Sequence, residues 1–223
     1  MVNLLKYKII IAGSKDSGKT SLIARFCDNI FKEDMKATIG VDFKRKIITV
    51  EGSHNEISIE LNIWDFGGEE KYRTLFPAYA NGASAAFVLF DTTSKKSLED
   101  IDNWIKIIDE NAYPNIVKQI IATKIDLESE REVSKKGATD FCKKYDWCKE
   151  ITSTSSKTGE NVEEAFLYVV KEIVVKDGEI TAVTSGTLLR AEGKVKDHVH
   201  EEMMDEVKAH WRDHYSINFN NYA

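Results

Sequence analysis

The chain has 223 residues, which suits one domain with a well-buried core, or one domain with an appendage. A hydrophobic share of 42%, a charged share of 30% and only two prolines exclude wholesale disorder. The formal net charge of −6 argues against sequence-independent binding to nucleic acid or anionic lipid, because both need clustered Lys and Arg. A basic partner surface would suit it better.

The first apolar stretch spans residues 7–12 and is too short for a signal-peptide core or a membrane span, so it reads as a first β-strand. It leads into Gly13-Ser14-Lys15-Asp16-Ser17-Gly18-Lys19-Thr20, a G-x-x-x-x-G-K-[ST] loop followed by a helical pattern. Gly13 and Gly18 let successive backbone N–H groups wrap phosphate oxygens, and the following helix adds its positive N-terminal end. Lys19 would neutralise the β- and γ-phosphates, and the Thr20 hydroxyl would ligate magnesium. The nucleotide contacts expected here are Gly13, Lys15, Asp16, Ser17, Gly18, Lys19, Thr20 and Ser21.

Residues 41–50 and 56–64 alternate in polarity and flank the turn EGSHN, which makes an antiparallel hairpin. Asp65-Phe66-Gly67-Gly68 ends its second strand, placing a carboxylate that can hold magnesium through water and a Gly68 N–H that can meet a γ-phosphate. Apolar β-branched runs at 83–90 and 116–122 continue a strand–helix alternation, which implies a mostly parallel sheet with helices on both faces. Thr123-Lys124-Ile125-Asp126 closes the second of these runs. There a carboxylate can accept from guanine N1–H and the 2-amino group, donors that adenine lacks. A helix is expected over 134–145, a short sixth strand over 149–152, and a last amphipathic helix over 161–175. Ser155-Ser156-Lys157, after the sixth strand, would bring backbone amides to the base oxygen. All these segments fall at the carboxyl ends of successive strands, where an open α/β sheet forms its ligand crevice.

On these motifs the chain resembles a Ras-superfamily small GTPase across about residues 5–176. Ile39-Gly40-Val41-Asp42-Phe43, Tyr72-Arg73-Thr74-Leu75 and Lys157-Thr158-Gly159-Glu160-Asn161-Val162 resemble the Rab branch. The resemblance implies a P-loop NTPase G domain: six strands, mostly parallel with one antiparallel edge strand, and five helices on the two faces. It implies GTP/GDP and Mg2+ as cofactors, with Thr20, Thr38 and Asp65 around the metal. It places Phe31 against the guanine edge, the Lys124 stem along the base, and a switch II over residues 70–80. Glu69, Lys19, Thr38 and Gly68 would carry hydrolysis. Thr123, Lys124, Asp126, Ser155, Ser156 and Lys157 would form the base end.

Four departures from the family pattern stand out. Glu69 replaces the glutamine that orients the attacking water, which lowers the expected intrinsic rate. Lys15 stands where the family has a small or acidic residue, near the entry path of an activating protein's arginine finger. Thr123 replaces the asparagine of the base motif. No prenylation cysteine closes the chain, and Val2 excludes N-myristoylation, so no intrinsic lipid anchor is expected. Cys27, Cys142 and Cys148 lack the paired spacing of a structural zinc site and read as reduced thiols in a cytoplasmic protein.

Residues 177–223 read as a separate extension after a domain spanning 1–176. Residues 181–189 are β-prone, and Val199, Met203, Val207, Trp211 and Tyr215 define one apolar helix stripe. His210 and His214 have a metal-chelating spacing, but nine acidic against five basic residues in the extension favour a solvated acidic helix. Such a helix would dock on the G domain or on a partner rather than on a membrane. The expected function is a GTP/GDP switch with slow hydrolysis in trafficking or signalling. Effectors, exchange factors and GTPase-activating proteins would read switches I and II, and any membrane association would come through partners. The alternative is a pseudo-GTPase scaffold. A nucleotide kinase is disfavoured, since Arg25, Arg45, Arg73 and Arg131 are the only arginines of the domain and form no lid motif.

Overall fold

The computed structural model describes residues 4–51, 56–114, 116–176 and 189–191. In chain order these form β1 (Leu4–Gly13), α1 (Lys19–Asp28), β2 (Val41–Glu51), β3 (Glu56–Phe66), a 3-10 segment (Glu70–Leu75) and α2 (Phe76–Ala80). They continue through β4 (Ala85–Asp91), α3 (Lys95–Glu99), α4 (Ile101–Asn111), β5 (Val117–Thr123), α5 (Lys135–Cys142), β6 (Thr152–Ser153), α6 (Val162–Lys176) and β7 (Leu189–Ala191). The strands lie in the order β6-β5-β4-β1-β3-β2-β7.

The central strand β1 pairs in parallel with both β3 and β4, which explains why it reads as an apolar run rather than a simple alternation. Its two faces feed two separate cores. Ile9 and Ile11 point with Phe87 and Leu89 toward α1 and α6, where Phe26 stacks on Phe166 at 3.7 Å. Ile10 and Ala12 point with Val88 and Phe90 toward α2 to α5, where Phe76 meets Trp104 edge-on. Burial on both faces makes this sheet a rigid platform for the loops at its carboxyl edge.

The expected six-stranded, mostly parallel sheet is present, with β2 antiparallel to β3 in the register Val41↔Phe66 to Glu51↔Glu56. It gains one element, because Leu189–Ala191 adds antiparallel to Ile48–Thr49–Val50 at the β2 edge. The β-prone tract anticipated at 181–189 meets this strand only at its last residue. The rest of that tract, the apolar stripe and the histidines of the extension lie outside the described residues.

Three local expectations change. Helix α5 stops at Cys142 rather than near 145, because the following bonds tighten to three-residue turns, Lys144 N to Phe141 O and Tyr145 N to Cys142 O. That turn folds the chain back, bringing Cα atoms of Cys142 and Cys148 to 5.6 Å. The two are joined as a disulfide rather than standing as reduced thiols, while Cys27 is free. The sixth strand is also shorter and later than expected, pairing with β5 only through Thr152 and Ser153. Among the described residues no helix is long and apolar enough to cross a membrane.

Candidate functional site

The loops after β1, β3, β5 and β6 converge on a cleft of about 440 Å³ at the carboxyl edge of the sheet. The end that carries the G-x-x-x-x-G-K-[ST] loop begins where β1 breaks at Gly13. A side chain there would put Cβ 2.4 Å from Leu89 O, so only glycine lets the loop turn against β4. Helix α1 then starts after Gly18, which is left-handed and offers no capping side chain. The first-turn N–H groups of α1 are thereby left for an anion to satisfy.

Lys19 is 5% exposed, and its ammonium donates to Gly13 O at 2.9 Å and Ser14 O at 2.8 Å. Burial lowers its pKa to about 8, opposed by the carboxylates of Asp65 and Asp16. Facing it, Gly68 approaches so closely that an added Cβ would lie 2.4 Å from Lys15 N and 2.5 Å from Lys19 Nζ. The phosphate loop and the start of switch II are therefore the two walls of one narrow slot.

Beside that slot the Thr20 and Thr38 hydroxyls lie 2.7 Å apart, and both donate to Asp65 Oδ2. Asp65 Oδ1 is buried without a hydrogen-bond partner, as is Ser17 Oγ. Burial raises the Asp65 carboxyl to about 6, even with Lys19 and the two threonine hydroxyls holding it down. Two hydroxyls and a carboxylate with an unpaired buried oxygen form a hard-oxygen donor set, which fits Mg2+.

The opposite end is built from β5 and β6. Asp126 lines the cleft, and its Oδ1 accepts from Ser155 Oγ at 2.6 Å. That serine is fully buried and itself accepts from Thr158 N, so the carboxylate is aimed by a fixed neighbour. Lys124 holds a left-handed backbone and pairs with the buried Asp91 at 2.7 Å. The Thr123 hydroxyl lies within hydrogen-bond distance of Ser17 O and Phe90 O. At 2% exposure it supports the phosphate loop from behind, which accounts chemically for a hydroxyl at the asparagine position. Phe31, Lys157 and Asp16 also line the cleft. Ser21 lines it too, with its hydroxyl turned to Met35 Sδ. Ser156 sits at the rim, 9% exposed.

Several residues here carry no motif signal. Arg25, on α1, donates to Ser156 O at 2.6 Å and Lys157 O at 2.9 Å, pinning the loop after β6 from across the domain. Glu33 pairs with Lys157 at 3.1 Å, bridging the two banks of the cleft. Glu69 has two cations: Lys71 at 2.8 Å and Lys15 at 3.7 Å. The hydrogen bond from Lys71, ahead of the charge of Lys15, holds the Glu69 carboxyl below its ordinary range.

A sequence model of the Ras family matches residues 8–175. The chain is 36% identical over 172 residues to Ras-related protein Rab-13 of Canis lupus familiaris, covering 77% of this chain and 82% of that one. It is 38% identical over 172 residues to GTP-binding protein ypt4 of Schizosaccharomyces pombe, covering 76% and 72% of the two chains. It is also 35% identical over 170 residues to human Ras-related protein Rab-8B, covering 76% and 79%. With the phosphate loop, the oxygen donor trio and the Asp126 end of the cleft on one sheet edge, the chain belongs to the Ras family of small GTP-binding proteins and is Rab-like within it.

Proposed function

We propose that this protein is a guanine-nucleotide switch with slow intrinsic GTP hydrolysis, working in membrane trafficking through protein partners. The observation that carries the reading is the aimed Asp126 carboxylate at one end of the cleft that holds Lys19 at the other. Guanine can satisfy both acceptor sites of that carboxylate, whereas adenine would leave it unpaired. The G domain spans 1–176, and 177–223 is an appendage that docks on it or on a partner.

Gly13, Gly18, Ser17 and the first turn of α1 would cradle the phosphates, with Lys19 supplying charge. Thr20, Thr38 and Asp65 would hold Mg2+, which would supply positive charge to offset that of the phosphates. Hydrolysis transfers the γ-phosphoryl group to water, breaking its bond to the β-phosphate oxygen and releasing GDP and phosphate. Glu69 faces the same slot. Its carboxylate can accept a hydrogen bond from the attacking water but cannot donate one to the γ-phosphate, so turnover is slow. Effectors, exchange factors and activating proteins would read switches I and II.

The pseudo-GTPase reading draws on the same residue: a Glu69 carboxylate engaged by Lys71 and Lys15 is withheld from water. Identification of the co-purifying nucleotide, with single-turnover GTP hydrolysis, separates the two. Bound GDP with measurable turnover supports the switch, and bound GTP that persists supports the scaffold. Equal affinity for ATP and GTP would refute both.

A further inference from the structure

Behind the wall of the slot, on the side away from the nucleotide cleft, one carboxylate gathers three elements. Asp100 joins α3 to α4. It accepts from Ser14 Oγ of the phosphate loop at 2.7 Å, from Asn103 Nδ2 at 3.0 Å, and from the Arg73 guanidinium of the switch II 3-10 segment. The side chains of Asp100 and Arg73 are only 17% and 20% exposed, so this is no solvated surface pair. Burial raises the Asp100 carboxyl, but hydrogen bonds from Asn103, Ser14 and Arg73 outweigh it and leave the group below its ordinary range.

Each partner leads inward. Ser14, held through its hydroxyl, offers its carbonyl to Lys19 Nζ at 2.8 Å, so Asp100 reaches the phosphate-binding lysine in two links. Arg73 stacks over the ring of Trp104 at 4.7 Å, and Trp104 is 1% exposed. Three residues on, Phe76 is fully buried between Phe66 and Trp104. The 3-10 segment is thus fastened in its middle by charge and at its end by packing, with Gly68 and Glu69 on the near side.

We infer that Asp100 is a positioning residue that clamps switch II to the phosphate loop from behind, so that switch II keeps its order without a γ-phosphate. A γ-phosphate would order this segment from the slot side, through Gly68, whereas the clamp acts from the opposite side and needs no ligand. The inference rests on the nucleotide-switch reading only for its consequence, a small structural difference between the GDP and GTP states over residues 69–76.

The test is hydrogen–deuterium exchange across residues 69–76 of the full chain with GDP, with GTPγS and after nucleotide removal. It compares wild type with Asp100→Asn, which keeps the volume of the side chain, and with Arg73→Gln. The expected result is wild-type exchange that differs by less than about fivefold between GDP and GTPγS, and variants that exchange more than about fivefold faster than wild type in the GDP state. GTPγS should narrow that gap. A larger wild-type difference between nucleotides, or variants that match wild type, would overturn the clamp. If the chain takes up no guanine nucleotide, the functional reading fails. The clamp is then decided on the nucleotide-free chain by the same variants: faster exchange upholds it and unchanged exchange removes it. Should Arg73→Gln fail to fold, Asp100→Asn alone decides.

Discussion

The two ends of the cleft are built differently. At the Asp126 end, apart from the exposed Glu33–Lys157 pair, the supporting contacts run to buried or backbone partners: Ser155 aims Asp126, Thr123 ties β5 to the phosphate loop, and Arg25 pins the carbonyls of Ser156 and Lys157. At the opposite end, Glu69, Lys15 and Lys71 are side chains 34%, 54% and 64% exposed, joined to one another and, through Lys71, to the Tyr72 ring. A group whose partners are buried has one low-energy position, whereas solvated ion pairs are weak and exchange partners easily. On the proposed function, selection of the ligand would rest on the rigid part of the molecule and turnover on the adjustable part.

The sharpest way to break that contrast is Lys19→Ala. Lys19 belongs to neither group alone, since it is buried and yet serves the phosphate end. Losing its charge-assisted contact from a desolvated slot should cost about 3 kcal/mol or more of nucleotide binding, roughly a hundredfold, by fluorescence titration with a labelled GDP. A loss below about threefold would mean that the slot does not hold phosphates. The wild type supplies a companion measurement. With the free lysine titrating near 8 and the ligand's phosphates favouring its charged form, the complex binds more protons than the free chain above that pH. Affinity should then be flat below about pH 7 and fall as pH rises through 8, by at most about tenfold per unit.

Asp126→Asn comes next and sharpens the rigid end. The replacement amide can donate to a xanthine oxygen but can accept only one of guanine's two donors and sets its NH2 against the other, so preference should move from GTP to xanthosine triphosphate by roughly tenfold to a hundredfold. Arg25→Ala tests the support behind it. Freeing two loop carbonyls should speed GDP release by about tenfold while leaving the GTP-over-ATP preference in place. Release at the wild-type rate would show that the loop after β6 holds itself.

What could be read from residues alone follows the same division. Gly13 to Thr20, Asp65 and Asp126 are legible because each stands in a short covalently spaced segment at a strand end, and the strand–helix alternation says which edge those ends share. Arg25 is not legible, since it acts on the carbonyls of residues 131 and 132 positions away, and carbonyls leave no trace in a sequence. The Cys142–Cys148 bond is not legible for a related reason. It depends on a turn after α5 that cuts the helix short, and helix periodicity does not register where the last turn tightens. Lys71 stands in no motif, and its contact with Glu69 depends on the 3-10 turn that starts between them, which leaves no periodic signal.

The smallest expected effects lie with Glu69 and its two lysines, and they decide whether the adjustable end is adjustable in fact. Lys71 is the nearer cation at 2.8 Å, and it holds Glu69 along the switch II surface, while Lys15 at 3.7 Å pulls it toward the phosphate loop. Lys15→Ala should therefore slow single-turnover GTP hydrolysis by only about two- to threefold, since it removes the weaker contact and a solvated charge. Lys71→Ala should act in the opposite direction, releasing Glu69 to Lys15 and to water over the slot. Glu69→Gln should raise the rate by a comparable factor, because an amide can donate to the γ-phosphate where a carboxylate cannot. The hydrogen bond from Lys71 keeps the Glu69 carboxyl below its ordinary range, so it stays ionised throughout pH 6–8, and no acceleration on acidification should arise from it. Lys15 matters only if it offsets that carboxylate, so in the Glu69→Gln background Lys15→Ala should have a different effect than in wild type. A cycle of wild type, both single variants and the double variant measures that difference directly. Additive effects would leave Lys15 a solvated lysine and assign the restraint of Glu69 to Lys71 alone.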